Sequence, residues 1–272
     1  MRVATYSLRG LSVQGGQARE VMRCLPEELP VALVFNGTTA AVMMASPCDL
    51  QDFAFGFALS EGFIDRLDQV QSLEIVVYDA GLEARFWIAE DQAAALQARR
   101  RSMLGPVGCG LCGIDSLEQA IRPLPVLAAS GPRLTPAEVA QATDLLQAHQ
   151  PLHDQTHAVH AAGFLLPGQG IVLAREDVGR HNALDKLTGA MARSGVDAGT
   201  GAIVLTSRVS VEMVQKTVMA GCPVLIAVSA PTAHALRLAQ AAKLTLVAFA
   251  RGGGFDIYAH PDRIQTGACD AA

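Results

Sequence analysis

The second half of the chain alternates between short apolar runs and helical segments. The apolar runs have the length of β-strands, and the segments between them have the length of helices. The predicted strands are 171–173, 202–206, 223–228 and 244–249, and the predicted helices are 182–193, 211–219 and 233–242. Repeated strand–helix–strand units of this length are typical of a layered α/β domain in which helices pack on a sheet.

The first half of the chain has a different pattern, which predicts a smaller α+β unit. Asn36-Gly37 separates two apolar runs and suits the positive φ angles of a type I′ hairpin turn. Ser46-Pro47 has the character of a helix start, with Ser46 as the N-cap and Pro47 in the first turn. Further strands are predicted at 73–78 and 84–88, and a helix at 91–101.

A stretch with three prolines and a glycine, 122–133, connects these two units in the prediction. We therefore predict two domains. Residues 1–125 form an N-terminal α+β region that ends in a cysteine-containing loop, and residues 126–272 form the α/β domain. Thr135 is the predicted cap of the first helix in the second domain, because Glu138 follows it at the spacing of a capping box.

The composition excludes several classes of protein. Half of the 272 residues are hydrophobic and 17% are charged, which is typical of a globular chain and not of a disordered one. A net charge of -5 argues against a nucleic-acid-binding protein. The N-terminus has no apolar signal core, and no apolar run approaches the length of a membrane span. We therefore expect a cytoplasmic protein without a disulfide framework, in which the isolated cysteines are ordinary small residues.

Cys109 and Cys112 form a C-x-x-C pair in a run that is rich in glycine. Such a run is a poor helix or strand interior, so an exposed, mobile loop is expected. Arg99, Arg100 and Arg101 precede it, and nearby cations favour the thiolate, which is the reactive form of cysteine.

Several kinds of chemistry remain open for this pair. A structural zinc site needs two more ligands, and His157 and His160 are far downstream of the pair. A thioredoxin-type pair normally opens a helix, which Gly113 disfavours. A zinc nucleoside deaminase needs an H-x-E motif that His160-Ala161-Ala162 lacks. A sulfur relay requires only that an exposed thiolate attack a persulfide and carry the sulfur on, by the logic of thiol–disulfide exchange.

Polar and glycine-rich turns follow four strands of the predicted α/β domain. They are 175–182, 207–210, 229–232 and 251–254. The carboxyl ends of parallel strands form the ligand-binding edge of an open α/β sheet. Arg180, Arg208 and Arg251 lie in three of these turns, and His181 is beside Arg180. Because Arg binds phosphate well, the pattern favours a polyanionic ligand such as a nucleotide, although 251–254 alone is also compatible with an ordinary hairpin.

The chain as a whole resembles the FdhD family, the formate dehydrogenase accessory sulfurtransferases. In the first half the resemblance rests on Glu28-Leu29-Pro30, Asn36-Gly37, Pro47-Cys48-Asp49-Leu50, Gly56-Phe57, Ser60-Glu61-Gly62 and Cys109-Gly110-Leu111-Cys112-Gly113. In the second half it rests on the run from Glu176 to Lys186 and on Ser207-Arg208, Glu212, Gln215-Lys216, Ser229-Ala230-Pro231-Thr232 and Arg251-Gly252-Gly253.

The resemblance implies a persulfide-forming sulfurtransferase that is needed for formate dehydrogenase activity. Sulfur would pass from a cysteine desulfurase to the molybdenum or tungsten bis(molybdopterin guanine dinucleotide) cofactor, which is bound as a substrate. Cys109 would carry the persulfide and Cys112 would assist. The matching positions for contact with the cofactor, or with a GDP- or GMP-like part of it, are Phe249, Ala250, Arg251, Gly252, Gly253 and Gly254.

The resemblance also implies a cytidine-deaminase-like α/β C-terminal domain without the deaminase metal site, and a homodimer. No resident metal is expected, and neither a nucleic acid nor a membrane is an expected partner. The alternative hypothesis is a non-catalytic chaperone that binds the molybdenum cofactor for formate dehydrogenase. This alternative requires edge residues such as Arg180 and Arg251, but it does not require Cys109 to accept sulfur.

Overall fold

The computed structural model describes residues 3–89 and 123–266. The predicted helix 91–101 and both cysteines of the C-x-x-C pair lie outside the described residues. The described residues form a mixed α/β fold, in which twelve strands make three sheets and six α-helices pack against them. None of these helices has the length and apolar character needed to span a membrane.

The first half contains a two-stranded ribbon and a four-stranded sheet. The ribbon consists of β1 (Thr5–Gln14) and β2 (Gln17–Pro26), which pair in an antiparallel register. The sheet contains β3 (Leu29–Phe35), β4 (Thr38–Ala45), β5 (Val70–Tyr78) and β6 (Gly81–Ile88) in the order β4-β3-β6-β5. Helix α1 (Leu50–Ser60) covers one face, where Phe53 and Phe86 are among the buried side chains.

The second half is built on a six-stranded sheet with the order β12-β11-β10-β9-β7-β8. The strands are β7 (His160–Leu166), β8 (Gly170–Asp177), β9 (Ala202–Leu205), β10 (Val224–Ala227), β11 (Thr245–Arg251) and β12 (Gly254–Ala259). The strands β9, β10 and β11 are parallel, and β7 is antiparallel to both of its neighbours, β8 and β9. Strand β8 therefore runs in the same direction as β9, and the carboxyl ends of β8 to β11 lie at one edge of the sheet. We call this the carboxyl edge.

Helices cover both faces of the six-stranded sheet. The helices are α2 (Pro136–Gln147), α3 (Pro151–Thr156), α4 (Arg180–Arg193), α5 (Val211–Met219) and α6 (Ala233–Ala241). Leu187 of α4, Val214 of α5 and Ala239 of α6 belong to the core on one face, whereas Val139 and Leu146 of α2 belong to the core on the other. The layered α/β arrangement predicted for this region is therefore present, whereas the boundary at residue 125 stays a prediction.

Helices α1 and α4 join the two halves at a very close contact. A Cβ atom placed on Gly56 would lie 1.7 Å from the carbonyl oxygen of Asp185, and one on Gly189 would lie 1.9 Å from that of Asp52. Real Cβ atoms do not approach backbone atoms so closely, so only glycine allows the two helices to pack at this distance. The first half is thereby fixed against the helix that begins at the carboxyl edge.

Several local predictions are confirmed. Asn36 and Gly37 have φ angles of 45° and 78° in the β3–β4 turn. Thr135 caps α2 in a capping box with Glu138, and α5 has the predicted bounds 211–219. The prediction for Ser46 is wrong, because the N-cap of α1 is Asp49, three residues later, and the helix begins at Leu50. Ser46 instead binds residues from the second half, as described below.

Candidate functional site at the carboxyl edge

The predicted binding residues lie at or just after the ends of strands at the carboxyl edge, namely Arg180, His181, Arg208 and Arg251. Arg180 and His181 begin α4 after β8, Arg208 lies between β9 and α5, and Arg251 ends β11. The ends of β8 and β11 are four strand positions apart, or about 19 Å at the usual strand spacing. The predicted residues therefore share one edge, but those at its two ends do not line a single small pocket.

The segment 249–254 forms a tight hairpin between β11 and β12. Arg251 pairs with Gly254, and the two residues between them, Gly252 and Gly253, have φ angles of 60° and 79°, as a type I′ turn requires. Phe249 has a φ of 52° within an irregular part of the pairing. The alternative interpretation of this run as a hairpin is thus confirmed, and its role in binding the cofactor stays a prediction.

The hairpin presents exposed backbone at one end of the edge. Arg251, Gly252, Gly253 and Gly254 are exposed, whereas Ala250 is buried and its carbonyl oxygen accepts a hydrogen bond from Thr143 Oγ1 at 2.6 Å. This bond anchors the base of the hairpin to α2. An exposed turn without Cβ atoms at its tip allows a ligand to approach the main chain closely.

The first turns of α4 and α5 carry polar atoms that lack partners. Arg180 Nε, His181 Nε2 and Ser210 Oγ are buried and have no hydrogen-bond partner among the described residues. Gly179 and Ser210 occupy the two N-cap positions, and neither cap makes a side-chain hydrogen bond to its helix. Because buried polar groups are normally paired, this cluster needs an explanation.

Glu212 and His160 complete the charge distribution around this cluster. His181 Nε2 lies 3.8 Å from Glu212 Oε2. His181 is the main factor that lowers the pKa of Glu212, to about 2, so this carboxylate is ionised at neutral pH. Ser210 lowers the pKa of the same carboxylate further through a side-chain hydrogen bond, so Glu212 is the neighbouring acceptor for both His181 and Ser210, although neither pair meets strict hydrogen-bond geometry. Burial lowers the pKa of His160, and Arg180 and His181 lower it further, so His160 is neutral there.

Glu212 is one of the motif residues on which the family resemblance rests, but no role was predicted for it from the sequence. Its position in the first turn of α5, next to a strand end that carries an arginine, could have identified it as a candidate site residue.

Asp177 and Lys186, in the same sequence motif as Arg180, are fully paired and buried. Lys186 Nζ lies 2.7 Å from Asp177 Oδ2, and neither side chain is exposed. The same Asp177 oxygen accepts a hydrogen bond from Ser46 N at 2.9 Å, and Lys186 Nζ donates to Ser46 O at 3.1 Å. Asn182 Nδ2 donates to Met44 O at 2.7 Å. These residues therefore connect the first turn of α4 to the end of β4.

A second buried lysine joins the halves in a similar way. Lys216 Nζ lies 2.9 Å from Asp185 Oδ1 and 2.7 Å from Glu61 Oε1. Burial alone would lower the pKa of Lys216, but the two carboxylates raise it above its ordinary value, so the lysine stays charged. Lys186 and Lys216 are therefore buried with carboxylate partners, although a lysine inside a helix is more often solvated. Their positions inside helices gave no local sign of the acidic partners.

The two acidic residues at the end of β8, Glu176 and Asp177, bind partners other than Arg180 and Arg208. Glu176 instead accepts hydrogen bonds from Leu152 N and His153 N, both at 2.8 Å, at the start of α3. Asp177 pairs with Lys186, and Arg208 is exposed. Both carboxylates thus have structural partners.

Two of the described cysteines, Cys48 and Cys222, are in environments that disfavour the thiolate. Cys222 is buried, and burial raises its pKa to about 12. Cys48 is half-buried beside a cleft of about 340 Å³, and burial raises its pKa although Lys186 Nζ lies 3.6 Å from its sulfur. Within residues 3–89 and 123–266, no three His, Cys, Asp or Glu side chains are grouped in a way that could hold a metal ion.

Comparison with known proteins assigns the family. The model of the FdhD/NarQ family matches residues 26–265. The chain is 49% identical to the sulfur carrier protein FdhD of Agrobacterium fabrum over 263 residues, which cover 97% of this chain and 95% of that protein. It is 54% identical to the sulfur carrier protein FdhD of Brucella abortus over 246 residues, with 90% of this chain and 91% of that protein covered.

A solved structure supports the same fold. It is the crystal structure of a protein from Desulfotalea psychrophila that is assigned as a formate dehydrogenase accessory protein. The TM-score is 0.76 at 24% sequence identity, and the match covers 96% of this chain and all of that chain. With the family match over residues 26–265, which contains the C-x-x-C pair and the carboxyl edge, these comparisons show that the chain belongs to the FdhD/NarQ family.

Proposed function

We propose that this protein is a sulfur carrier that forms a persulfide on Cys109 and delivers the sulfur to a molybdenum cofactor. The observation that carries the proposal is the high identity to sulfur carrier proteins over nearly the whole chain. The family match includes both Cys109 and Cys112. Two of the described cysteines support the choice of Cys109, since burial raises the pKa of both Cys48 and Cys222.

The transfer proceeds by displacement at sulfur. The Cys109 thiolate attacks the outer sulfur of a persulfide on a cysteine desulfurase. A new S–S bond forms on Cys109, the S–S bond of the donor breaks, and the donor cysteine leaves as a thiolate. No net oxidation is required, because the bond that forms replaces the bond that breaks. Cys112 assists in the later release of sulfur.

The carboxyl edge binds the substrate, a bis(molybdopterin guanine dinucleotide) cofactor of molybdenum or tungsten. Arg180, His181 and Arg208 contribute to one part of this edge, and the hairpin from Phe249 to Gly254 forms the other end. Arg180 Nε, which is buried without a hydrogen-bond partner among the described residues, supports the assignment, since an anionic ligand would satisfy it. The length of the edge suits a ligand that is larger than a mononucleotide.

The wider biological role follows from the family. We propose that the sulfurated cofactor serves formate dehydrogenase, that the protein works in the cytoplasm, and that its second half is a layered, cytidine-deaminase-like domain. We also propose a homodimer. Large apolar side chains are exposed on both faces of the β1–β2 ribbon, namely Tyr6, Leu8, Leu11, Val13, Met22 and Leu25. An isolated two-stranded ribbon is marginal in water, so a subunit contact there would stabilise it.

Intact mass spectrometry tests the proposal. The protein is incubated with a cysteine desulfurase and cysteine and is weighed before and after reduction. We expect a gain of one sulfur atom that reductant removes and that Cys109→Ala abolishes. Cys48→Ala is the matched control, and it should load normally. Absence of the gain, with GDP binding intact, would favour the alternative function of a non-catalytic cofactor chaperone.

A further inference from the structure

The four-stranded sheet of the first half has one face that no described helix covers. Helix α1 packs on the opposite face, where Leu33, Phe53 and Phe86 are buried. Because Gly56 of α1 is in close contact with Asp185 of α4, helix α1 lies between this sheet and the second half. The uncovered face therefore points away from the second half and from the carboxyl edge. We call it the outer face.

Large apolar side chains are exposed on the outer face. Each is at least 40% exposed, and they are Val42, Met44, Tyr78 and Trp87. The register places them together, since Val42 is opposite Ala32, which in turn is opposite Glu83. Residues two or four positions apart in a strand point to the same side, so Met44 shares the side of Val42, and Trp87 shares the side of Glu83. A contiguous apolar surface of this kind is typical of an interaction site.

The outer face also has the residue types that contribute most to binding at protein interfaces, which are Trp, Tyr and Arg. Arg85 Nη2 lies 2.7 Å from Glu83 Oε2, and the Arg85 guanidinium lies 5.7 Å from the centre of the Tyr78 ring. The guanidinium also contacts the Tyr78 hydroxyl. Side chains that are already held in place lose less conformational entropy when a partner binds, so this group is prepared for a protein contact.

The size and charge of the outer face indicate what kind of partner it binds. Four strands of about eight residues give a face of about 500 Å² at the usual strand spacing and rise, which is in the range of weak, transient complexes. The β5–β6 hairpin carries three carboxylates, Glu74, Asp79 and Glu83, and one arginine, so its net charge is -2. A complementary partner surface is therefore apolar with a basic rim.

We infer that the outer face docks the protein that supplies the persulfide sulfur, through an apolar surface with a basic rim on that protein. The inference rests on the proposed function for the identity of the partner. Strand β6 is the last described strand before the C-x-x-C pair in the sequence, so a donor on this face meets the chain where it leads into Cys109. A carrier must also release its donor, which suits a transient interface. The outer face and the carboxyl edge point in different directions, so the donor does not block the cofactor.

Isothermal titration of the full-length protein with the cognate cysteine desulfurase tests the docking face. Trp87→Ala should weaken binding by about 30-fold, as expected for an aromatic residue at the centre of an interface. Glu74→Lys should weaken it by about fivefold at low ionic strength and by less at high salt, because a favourable charge is reversed. Leu145→Ala and Asp144→Lys, at exposed positions of α2, are the matched controls and should bind normally.

Sulfur loading from glutathione persulfide, followed by intact mass, separates docking from chemistry. This small donor requires no protein contact, so Trp87→Ala and Glu74→Lys should accept sulfur from it as the wild type does. Sedimentation velocity of both variants should show the oligomeric state of the wild type.

Three results would overturn the docking face. They are unchanged affinity for the desulfurase in both variants, an equal loss of loading from glutathione persulfide, and dissociation of an oligomer, which would make the outer face a contact between copies of this chain. A different result would contradict the sulfur-carrier proposal alone. If the wild type accepts no sulfur from either source while both variants still lose affinity for the desulfurase, the docking face stands, so the two ideas fail separately.

Discussion

The ends and the middle of the segment from Glu176 to Lys186 differ in how completely their polar groups are paired. Asp177 and Lys186 are buried together and bonded to Ser46. In the middle of the same segment, Arg180 Nε is buried without a hydrogen-bond partner among the described residues, and His181 Nε2 lies 3.8 Å from Glu212 Oε2. A single run of motif residues therefore serves two purposes. Some of its residues fix helix α4 against the first half of the chain, and others remain available to bind a ligand.

The contact between the two halves and the carboxyl edge differ in the same way, in how completely their polar groups are paired. At the contact, Lys216 binds Asp185 and Glu61, and Gly56 and Gly189 allow close helix packing. At the edge, the caps of α4 and α5 make no side-chain hydrogen bonds. Substitutions at the contact should therefore change stability, whereas substitutions at the edge should mainly change binding.

Lys186→Met should produce the largest loss of stability. It leaves Asp177 buried without its cation, and breaking such a pair typically costs about 3–5 kcal/mol. Urea denaturation followed by circular dichroism measures the free energy of unfolding. Lys243→Met, at an exposed position, is the matched control and should change it by less than about 0.5 kcal/mol. Similar values for the two variants would contradict the structural role of Lys186.

Gly189→Ala should destabilise the protein by about 2–3 kcal/mol. The new methyl group would lie 1.9 Å from the carbonyl oxygen of Asp52, so α1 and α4 would have to move apart. Differential scanning calorimetry should show a lower Tm. Gly10→Ala is the control, because its methyl group would meet only a side-chain carbon of Val21, at 3.8 Å. Equal Tm values for Gly189→Ala and the wild type would show that the helix contact is looser than described.

Glu212 should make stability depend on pH in the acidic range. Its pKa is lowered from 4.5 to about 2, so its ionised form is favoured by folding. The resulting stabilisation is complete above about pH 4.5 and is lost as the pH falls towards 2. We expect about 1 kcal/mol after allowance for solvent screening at this half-buried position. Urea denaturation between pH 5 and pH 2 should show a smaller loss of unfolding free energy for Glu212→Gln than for the wild type. Parallel curves of unfolding free energy against pH for the two proteins would exclude a contribution from Glu212.

Arg180→Ala should have the smallest effect on stability, within about 0.5 kcal/mol, because its Nε atom has no hydrogen-bond partner among the described residues that would be lost. The same variant should bind GDP less tightly. Urea denaturation with and without GDP separates the two effects, since a ligand stabilises only the form that binds it. A large destabilisation without ligand would show that Arg180 belongs to the structural part of the motif.

The local elements of the second half were predictable because their signals lie within each element. Helix α5 has the predicted bounds, and the Thr135 cap of α2 is a four-residue pattern. The order of strands and turns also predicted that Arg180, Arg208 and Arg251 would lie at one edge. The separation of these residues along the edge was not predictable from local patterns, because it depends on where β7 enters the sheet.

The contacts between the halves were not predictable for a related reason. Ser46 and Asp177 are 131 positions apart in the sequence, and Lys216 and Glu61 are 155 positions apart. A lysine inside a helix has the same local pattern whether it is solvated or buried with a carboxylate. The β1–β2 ribbon was not predicted either, because it has apolar residues on both faces and so lacks the alternation of a half-buried strand.

The most direct test of the sulfur-carrier proposal is to locate the transferred sulfur. After a single turnover with a cysteine desulfurase, the persulfide is trapped with an alkylating agent, and the six cysteines are assigned by tandem mass spectrometry of the peptides. We predict that the added sulfur is on Cys109, and that Cys48 and Cys222, whose pKa values are raised by burial, carry none. Sulfur on Cys48 or Cys222, or no sulfur on any cysteine, would contradict the account.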